Sequence, residues 1–306
     1  MAVFTANMSG IADLADHLVV SFEHTFLLEK ENLAKGIDSL ATMRFARKAA
    51  SISFPKYSAL TRQTSALTAE EDTTSEAMVD TAITIATYEF GNGVTTTELV
   101  QAQSDGLPNV AAVELVGINM RDSMEALMLT VGEAGSNETI VTQAAEASLT
   151  ASDIITGNYV KRMHNRLSRV GAPGPYYGII HDDVKYDLVV ETAETGWTRT
   201  NQYADPDSIL ANEVGMFGGF RIIAHPVVTV NADAGNAAVD TYHCQFFGKN
   251  AFGKAIAVEP GLRLTGPFDK LGRFYNFGWY GIYNYGLIDT DYHQLLTCAS
   301  SIGSNT

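Results

Sequence analysis

Cysteine is nearly missing from this chain, which removes one common way of holding a protein together. Cys244 and Cys298 are the only two in 306 residues. Both sit in apolar, strand-like runs, Tyr-His-Cys-Gln-Phe-Phe and Leu-Leu-Thr-Cys-Ala, so they read as small buried hydrophobes and not as a disulfide framework; a reducing cytoplasm suits them. Positive charge is short too. Lys and Arg number 20 against 35 Asp and Glu, a formal charge of −15. That balance argues against a sequence-reading nucleic-acid binder, because neutralising phosphates takes clustered cations. A container whose inner wall repels DNA is still compatible with it. No run of eighteen uncharged apolar residues occurs, and the start, Met-Ala-Val-Phe-Thr-Ala-Asn-Met-Ser-Gly, lacks a charged segment followed by a long apolar one. Neither secretion nor membrane insertion is supported. What is present, a 46% hydrophobic composition, can bury a full core in one large or two medium domains.

The first forty-odd residues place Leu14, Leu18, Phe22, Phe26 and Leu33 at helical spacing and close at Gly36, an amphipathic arm that needs a neighbour to cover it. From Arg44 to Val100 the character turns to strand. Thr81-Ala-Ile-Thr-Ile-Ala-Thr-Tyr alternates with period two and pairs with Ala50-Ser-Ile-Ser-Phe in a long hairpin. Its tip holds Lys56, Tyr57, Arg62, Glu70, Glu71 and Asp72, too polar for a core and too long for a tight turn. A two-stranded ribbon is marginal alone, so this one is expected to lack a bed within its own chain and to lie on an adjoining copy. The strongest helix spans Asn109 to about Val131, with Val113, Val116, Met120, Met124, Leu127, Met128 and Val131 on one stripe; Glu114, Asn119, Arg121, Asp122 and Glu125 form the polar face. A second helix is predicted to open at Thr150, with Asp153 at the third position, and to end at Gly171; its outer face carries Lys161, Arg162, Arg166 and Arg169. Strands and helices then alternate loosely, giving an α+β reading.

Chemistry is hard to find. His181-Asp182-Asp183 follows an apolar strand and opens a helix, so Asp182 or Asp183 is expected to cap it; consecutive strand residues point apart, which defeats a metal site. His17 and His24 stand two turns apart on a solvated face. Gly215-Met-Phe-Gly-Gly lacks the Gly-Lys-Ser or Gly-Lys-Thr ending of a phosphate loop and reads as a bend. The basic helix face reads as a donor of intersubunit ion pairs ahead of a DNA contact. No nucleophile with a base and an orienting partner is evident in local sequence, so no enzyme, cofactor or metal is expected.

The order of pieces is the informative pattern: arm, long hairpin, strut helix, the run Tyr-Gly-Ile-Ile-His-Asp-Asp-Val-Lys-Tyr-Asp-Leu, then Gly-Gly-Phe-Arg-Ile-Ile-Ala-His-Pro and a terminal Gly-Trp-Tyr-Gly strand. It resembles the major capsid proteins of tailed bacteriophages, with the Hong Kong 97 capsid fold, and is most similar to the branch typified by the coat protein of phage N-four. The resemblance implies an N-terminal arm at 1–44 and an extended β-hairpin loop at 45–100. It also implies a peripheral domain at 101–170 and 261–288, with a spine helix at 107–134, and a mixed axial domain at 171–260 and 289–306. The implied function is self-assembly as hexamers and pentamers into an icosahedral shell around double-stranded DNA, in the cytoplasm of a bacterial host. The partners are further copies of itself, a separate scaffolding protein because the chain starts directly with the arm, a portal, decoration proteins, and DNA held without sequence preference. Phe22, Phe26, Lys56, Tyr57, Arg62, Glu70, Glu71, Asp72, Asp269 and Lys270 are the implied intersubunit contacts. Relatives that crosslink their shells need an Asn where the turn Gly266-Pro-Phe-Asp-Lys-Leu-Gly272 offers Asp269, so crosslinking is not expected here. The alternatives are an encapsulin-like compartment and, from another class, a soluble α+β hydrolase with a deep polar pocket.

Overall fold

The structure is a computed structural model that describes residues 36–45, 49–67, 72, 75–103, 107–135, 137–192, 198–199 and 213–302. Phe22, Phe26, His17, His24, Lys48, Glu70, Glu71 and most of the loop from Trp197 to Asp207 lie outside the described residues. In chain order the strands and helices are β1 (Thr42–Phe45), β2 (Ser51–Tyr57), β3 (Asp80–Ala86), β4 (Tyr88–Thr97), α1 (Glu98–Gln103), α2 (Leu107–Glu133), β5 (Glu138–Ile140) and α3 (Gly157–Val170). They continue with β6 (Tyr176–Ile180), α4 (Asp182–Thr192), β7 (Thr198–Arg199), β8 (Glu213–Phe217), β9 (Phe220–Ala224), β10 (Val230–Asn231) and β11 (Thr241–Phe247). The last three strands are β12 (Phe252–Phe268), β13 (Phe274–Leu287) and β14 (His293–Cys298).

Two sheets carry the molecule. The smaller runs β1-β12-β13-β4, and the larger runs β5-β14-β11-β6-β9-β8-β7 with β10 added beside β11. The central strands of the larger sheet are covered on both faces, which is why they read as continuous apolar runs. On one face α3 and α4 bring Val160, Met163, Leu167, Val184 and Leu188 against Ile180, Phe220, Phe246, Cys244 and Cys298. Both cysteines are buried and free, as their apolar context predicted. On the other face α2 sets Met128 and Leu129 against Ile179, Ile223 and Phe247 and, within the same cluster, meets Trp279, Tyr283 and Tyr285 of the smaller sheet. The strut helix therefore ties the sheets together. Its predicted bounds hold to within two residues, and its stripe holds except for Val113, which is exposed.

Three local expectations need correction. Thr150 and Asp153 do meet, through the Thr150 amide and hydroxyl at 2.8 Å each, but they close a turn; α3 begins only at Gly157. Asp153 is buried and also receives Thr142 and Gln143. Burial pushes its carboxyl up, and these donors together hold it below the ordinary value. At the start of α4 the acceptor is His181, whose Nδ1 takes the Asp183 amide at 3.2 Å. Asp183 instead accepts from the Tyr242 hydroxyl at 2.9 Å. Finally, the hairpin ends at Ala86, because Tyr88–Thr97 pairs along its full length with β13. Of the bend expected over Gly215–Gly219, Gly215 to Phe217 belong to β8 and only Gly218 and Gly219 turn. Both have positive φ, and a Cβ on Gly219 would fall 2.5 Å from the His164 ring, so only glycine fits that turn.

Two histidines set opposite limits of pH stability. His243 lies between Glu146, 3.1 Å from Nε2, and Glu133, 4.0 Å from Nδ1. Burial alone would push it down, but the two carboxylates outweigh that and hold it above 6.5. Its contribution is therefore complete below 6.5 and is lost as pH rises through the raised value. His293 is fully buried beside Phe247 and Phe252, and burial pushes it down to about 3. Between 6.5 and about 3 the unfolded chain takes the proton first, so stability falls by up to about 1.4 kcal/mol per pH unit on the acid side. Thermal melts across pH should show H243Q flattening the alkaline limb and H293Q the acid limb. Equal profiles in wild type and both variants would refute the assignment.

Candidate assembly surfaces

The β2–β3 ribbon is regular, pairing Ser51 with Ala86 through Tyr57 with Asp80. Its near half does have a bed within its own chain, contrary to expectation. Ile52, Phe54 and Ile85 are buried with Ala255, Ala257 and Ile288. Ile85 sits over Gly253 and Gly286, cross-strand partners in β12 and β13; a Cβ on either would come within 3.0 Å of its side chain. Lys56 donates to Asp289 of the same chain and stands 5.4 Å over the Tyr292 ring. The Asp289 hydrogen bond raises its pKa. Lys56 and Tyr57 thus lie within β2 and not at the tip, and Lys56 has its partner in its own chain.

The far half has no such bed among the described residues. Tyr57, Leu60, Leu67, Met78 and Val79 are all more than half exposed, a concentration of bare apolar side chains that marks an interaction surface. The tip is internally braced, since Glu76 accepts from the Thr61 amide and hydroxyl at 2.9 Å each. Arg62 and Asp72 are exposed. A second projection is the outer part of β12 and β13, where Leu262, Leu264, Phe268 and Leu271 are exposed. Its turn is held by Asp269, which has positive φ and accepts from Arg273 at 2.9 and 3.1 Å. That guanidinium, with the Lys270 amide, holds the Asp269 carboxyl below its ordinary value. A third surface is the first part of α2 with α1, where Leu99, Val110, Val113 and Leu115 lie open.

The root of the N-terminal segment is fixed by groups that sequence reasoning missed. Gly36, at φ 75°, and Ile37 donate their amides to Glu125 Oε1 at 2.5 and 3.0 Å. Glu125 Oε2 lies 2.5 Å from His225 Nε2, and His225 Nδ1 accepts the Val227 amide at 3.0 Å. The Nδ1 contact leaves the proton on Nε2, which donates to the carboxylate. Glu125 was placed on the polar face of its helix, yet it is 2% exposed. One residue along, Asp38 accepts from the buried Lys254 at 2.9 Å. The interruption of an apolar run by Lys254, Phe-Gly-Lys-Ala-Ile, was the available signal.

No group of three metal-ligating side chains is found among the described residues. One open hollow of about 450 Å³ has a mixed wall, in which Met43, Phe45, Met120, Met124, Ile256 and Pro260 stand beside the charged Asp38, Arg121, Glu125, Lys254 and Glu259.

Comparison with solved structures identifies the fold. The capsid of Ralstonia phage GP4 superposes with a TM-score of 0.77 at 12% identity, covering 93% of this chain and 96% of that one. The capsid of cyanophage P-SCSP1u gives 0.62 at 17% identity, covering 98% and 100%. The SrpI encapsulin complex of Synechococcus elongatus gives 0.62 at 10% identity, covering 96% and 98%. No protein-family model matches the sequence, and no curated protein sequence does. The chain has the mixed α+β, Hong Kong 97-type fold of tailed-phage capsid subunits.

Proposed function

We propose that this chain is the major capsid protein of a tailed bacteriophage. Its work is geometric: copies tile as hexamers and pentamers into an icosahedral shell around double-stranded DNA. The observation that carries this reading is the bare apolar far half of the ribbon on a chain whose fold is that of phage capsid subunits over nearly its whole length. A surface of that kind is stable when a neighbour covers it, and a closed lattice supplies one to every copy.

In this reading residues 1–44 are the arm and 45–100 the extended loop, with Tyr88–Thr97 serving as its seam to the peripheral sheet. Residues 101–170 and 261–288 form the peripheral domain, whose spine is the helix predicted at 107–134. Residues 171–260 and 289–306 form the axial domain. Phe22, Phe26, Tyr57, Arg62, Glu70, Glu71, Asp72 and Lys270 are its contact residues, and Asp269 shapes the turn that presents Lys270. Placement in the N-four branch, a separate scaffolding protein, a portal, decoration proteins and assembly in the host cytoplasm belong to the same proposal. The encapsulin match favours a second reading, a compartment loaded with a protein cargo.

Electron microscopy of the purified protein should show closed icosahedral shells. Extracted particles should contain DNA; a protein cargo in its place would select the encapsulin-like reading. A monomer or small oligomer at all concentrations would overturn both.

A further inference from the structure

We infer that the basic face of α3 docks the acidic ribbon tip of a second copy of this chain, an inference that rests on the shell reading above. Four of the 20 basic residues, Lys161, Arg162, Arg166 and Arg169, fall within this one 14-residue helix, which contains no acidic residue. The helix packs through Val160, Met163 and Leu167, which leaves Lys161, Arg162 and Arg169 exposed and Arg166 half-buried at the edge of the same face. Among the described residues none of the four has a carboxylate partner. Lys161 lies 5.8 Å over the Phe217 ring, and Arg166 donates to Thr139 and, at 3.5 Å, to Gln294. Arg162 and Arg169 are exposed and make no described contact of their own. Burial, and then the neighbouring charges of Arg162 and Arg169, push Arg166 down, so the patch repels itself and gains from an anion.

The complementary surface is on the same polypeptide. Asp72, Glu76 and Asp80 are exposed on the ribbon and form no ion pair among the described residues, and Glu70 and Glu71 adjoin them in sequence. Thr61 holds the Glu76 carboxylate in place. No ion pair joins tip and helix within one chain among the described residues, so their charges are left for a partner. A second copy, with its net charge of −15, brings carboxylates in excess, and among the described ones Asp72, Glu76 and Asp80 are exposed. Contact between two different surfaces of identical chains is head-to-tail, and it closes into a ring when the rotation permits.

The test is a charge exchange followed by sedimentation and electron microscopy at low and high salt. R162E/R169E should lower the assembled fraction about tenfold at low salt, with an unchanged melting temperature. E70K/E71K/D72K should do the same, and the chain carrying all five substitutions should recover. R162Q/R169Q, which deletes charge without inverting it, should give an intermediate loss and stands in if inversion unfolds the helix. Wild-type assembly of the α3 variants would overturn the inference. So would failure of the five-substitution chain to recover while melting normally. Normal shells that no longer retain DNA would also overturn it and assign the face to phosphate. If the wild-type chain forms no shells, the shell reading itself falls, which the variants do not decide.

Discussion

Glu125→Ala should lower the stability of the isolated subunit by about 3–4 kcal/mol, the range for stranding buried polar partners. The carboxylate accepts from two backbone amides and from His225, and His225 is fully buried. Alanine leaves three donors without an acceptor in a place that offers no described substitute. Glu125→Gln separates charge from shape. Its carbonyl can still take the Gly36 and Ile37 amides, but its amide then faces the Nε2–H of His225, which cannot change tautomer without losing the Val227 amide. A loss of about half the alanine value is expected. Urea unfolding of the subunit measures both, and a drop under about 1 kcal/mol for alanine would mean that the carboxylate does not hold the root of the arm.

Two glycines of the same helix should respond in opposite directions. Propensity alone favours alanine at both by up to about 1 kcal/mol. At Gly117 nothing lies within 4 Å of the added methyl, so Gly117→Ala should stabilise by a part of that figure. At Gly132 the methyl would stand 2.0 Å from Gln245 Oε1. Gln245 cannot swing away without cost, because it is 1% exposed, donates to the Leu129 carbonyl at 2.7 Å and meets His293 at 3.3 Å. Gly132→Ala should therefore lose about 2–3 kcal/mol, with the clash outweighing propensity. Equal melting shifts for the two variants would show that the Gln245 contact is not a constraint.

These cases show where sequence reading succeeds and where it stops. Hydrophobic period and punctuation located α2 to within two residues at each end, because its apolar stripe is one that packing largely preserves. The bend at Gly218–Gly219 was legible for a similar reason, since local backbone demand selects glycine. Glu125 was misread because a carboxylate on a helix looks solvated until a segment 88 residues away supplies its donors. His181 was passed over as a cap because two aspartates beside it are the better formers, and Tyr242 from β11 claims one of them. The ribbon was given no bed because its bed is a pair of glycines in strands some two hundred residues later, and glycine carries no pattern. Of the contact candidates, Lys56 and Asp269 have partners within the chain, and the charge exchange tests Glu70, Glu71 and Asp72.

Strand order has a consequence for synthesis. β14 lies between β5 and β11, and β13 lies between β12 and β4, so the smaller sheet cannot close on a nascent chain until Leu287 has left the ribosome, nor the larger until Cys298 has. Early segments must wait for late ones, a slow, non-local route to the native state. On the proposed shell reading, the same delay keeps a half-made polypeptide from presenting finished surfaces to its completed siblings, so growth of a particle would draw only on whole molecules.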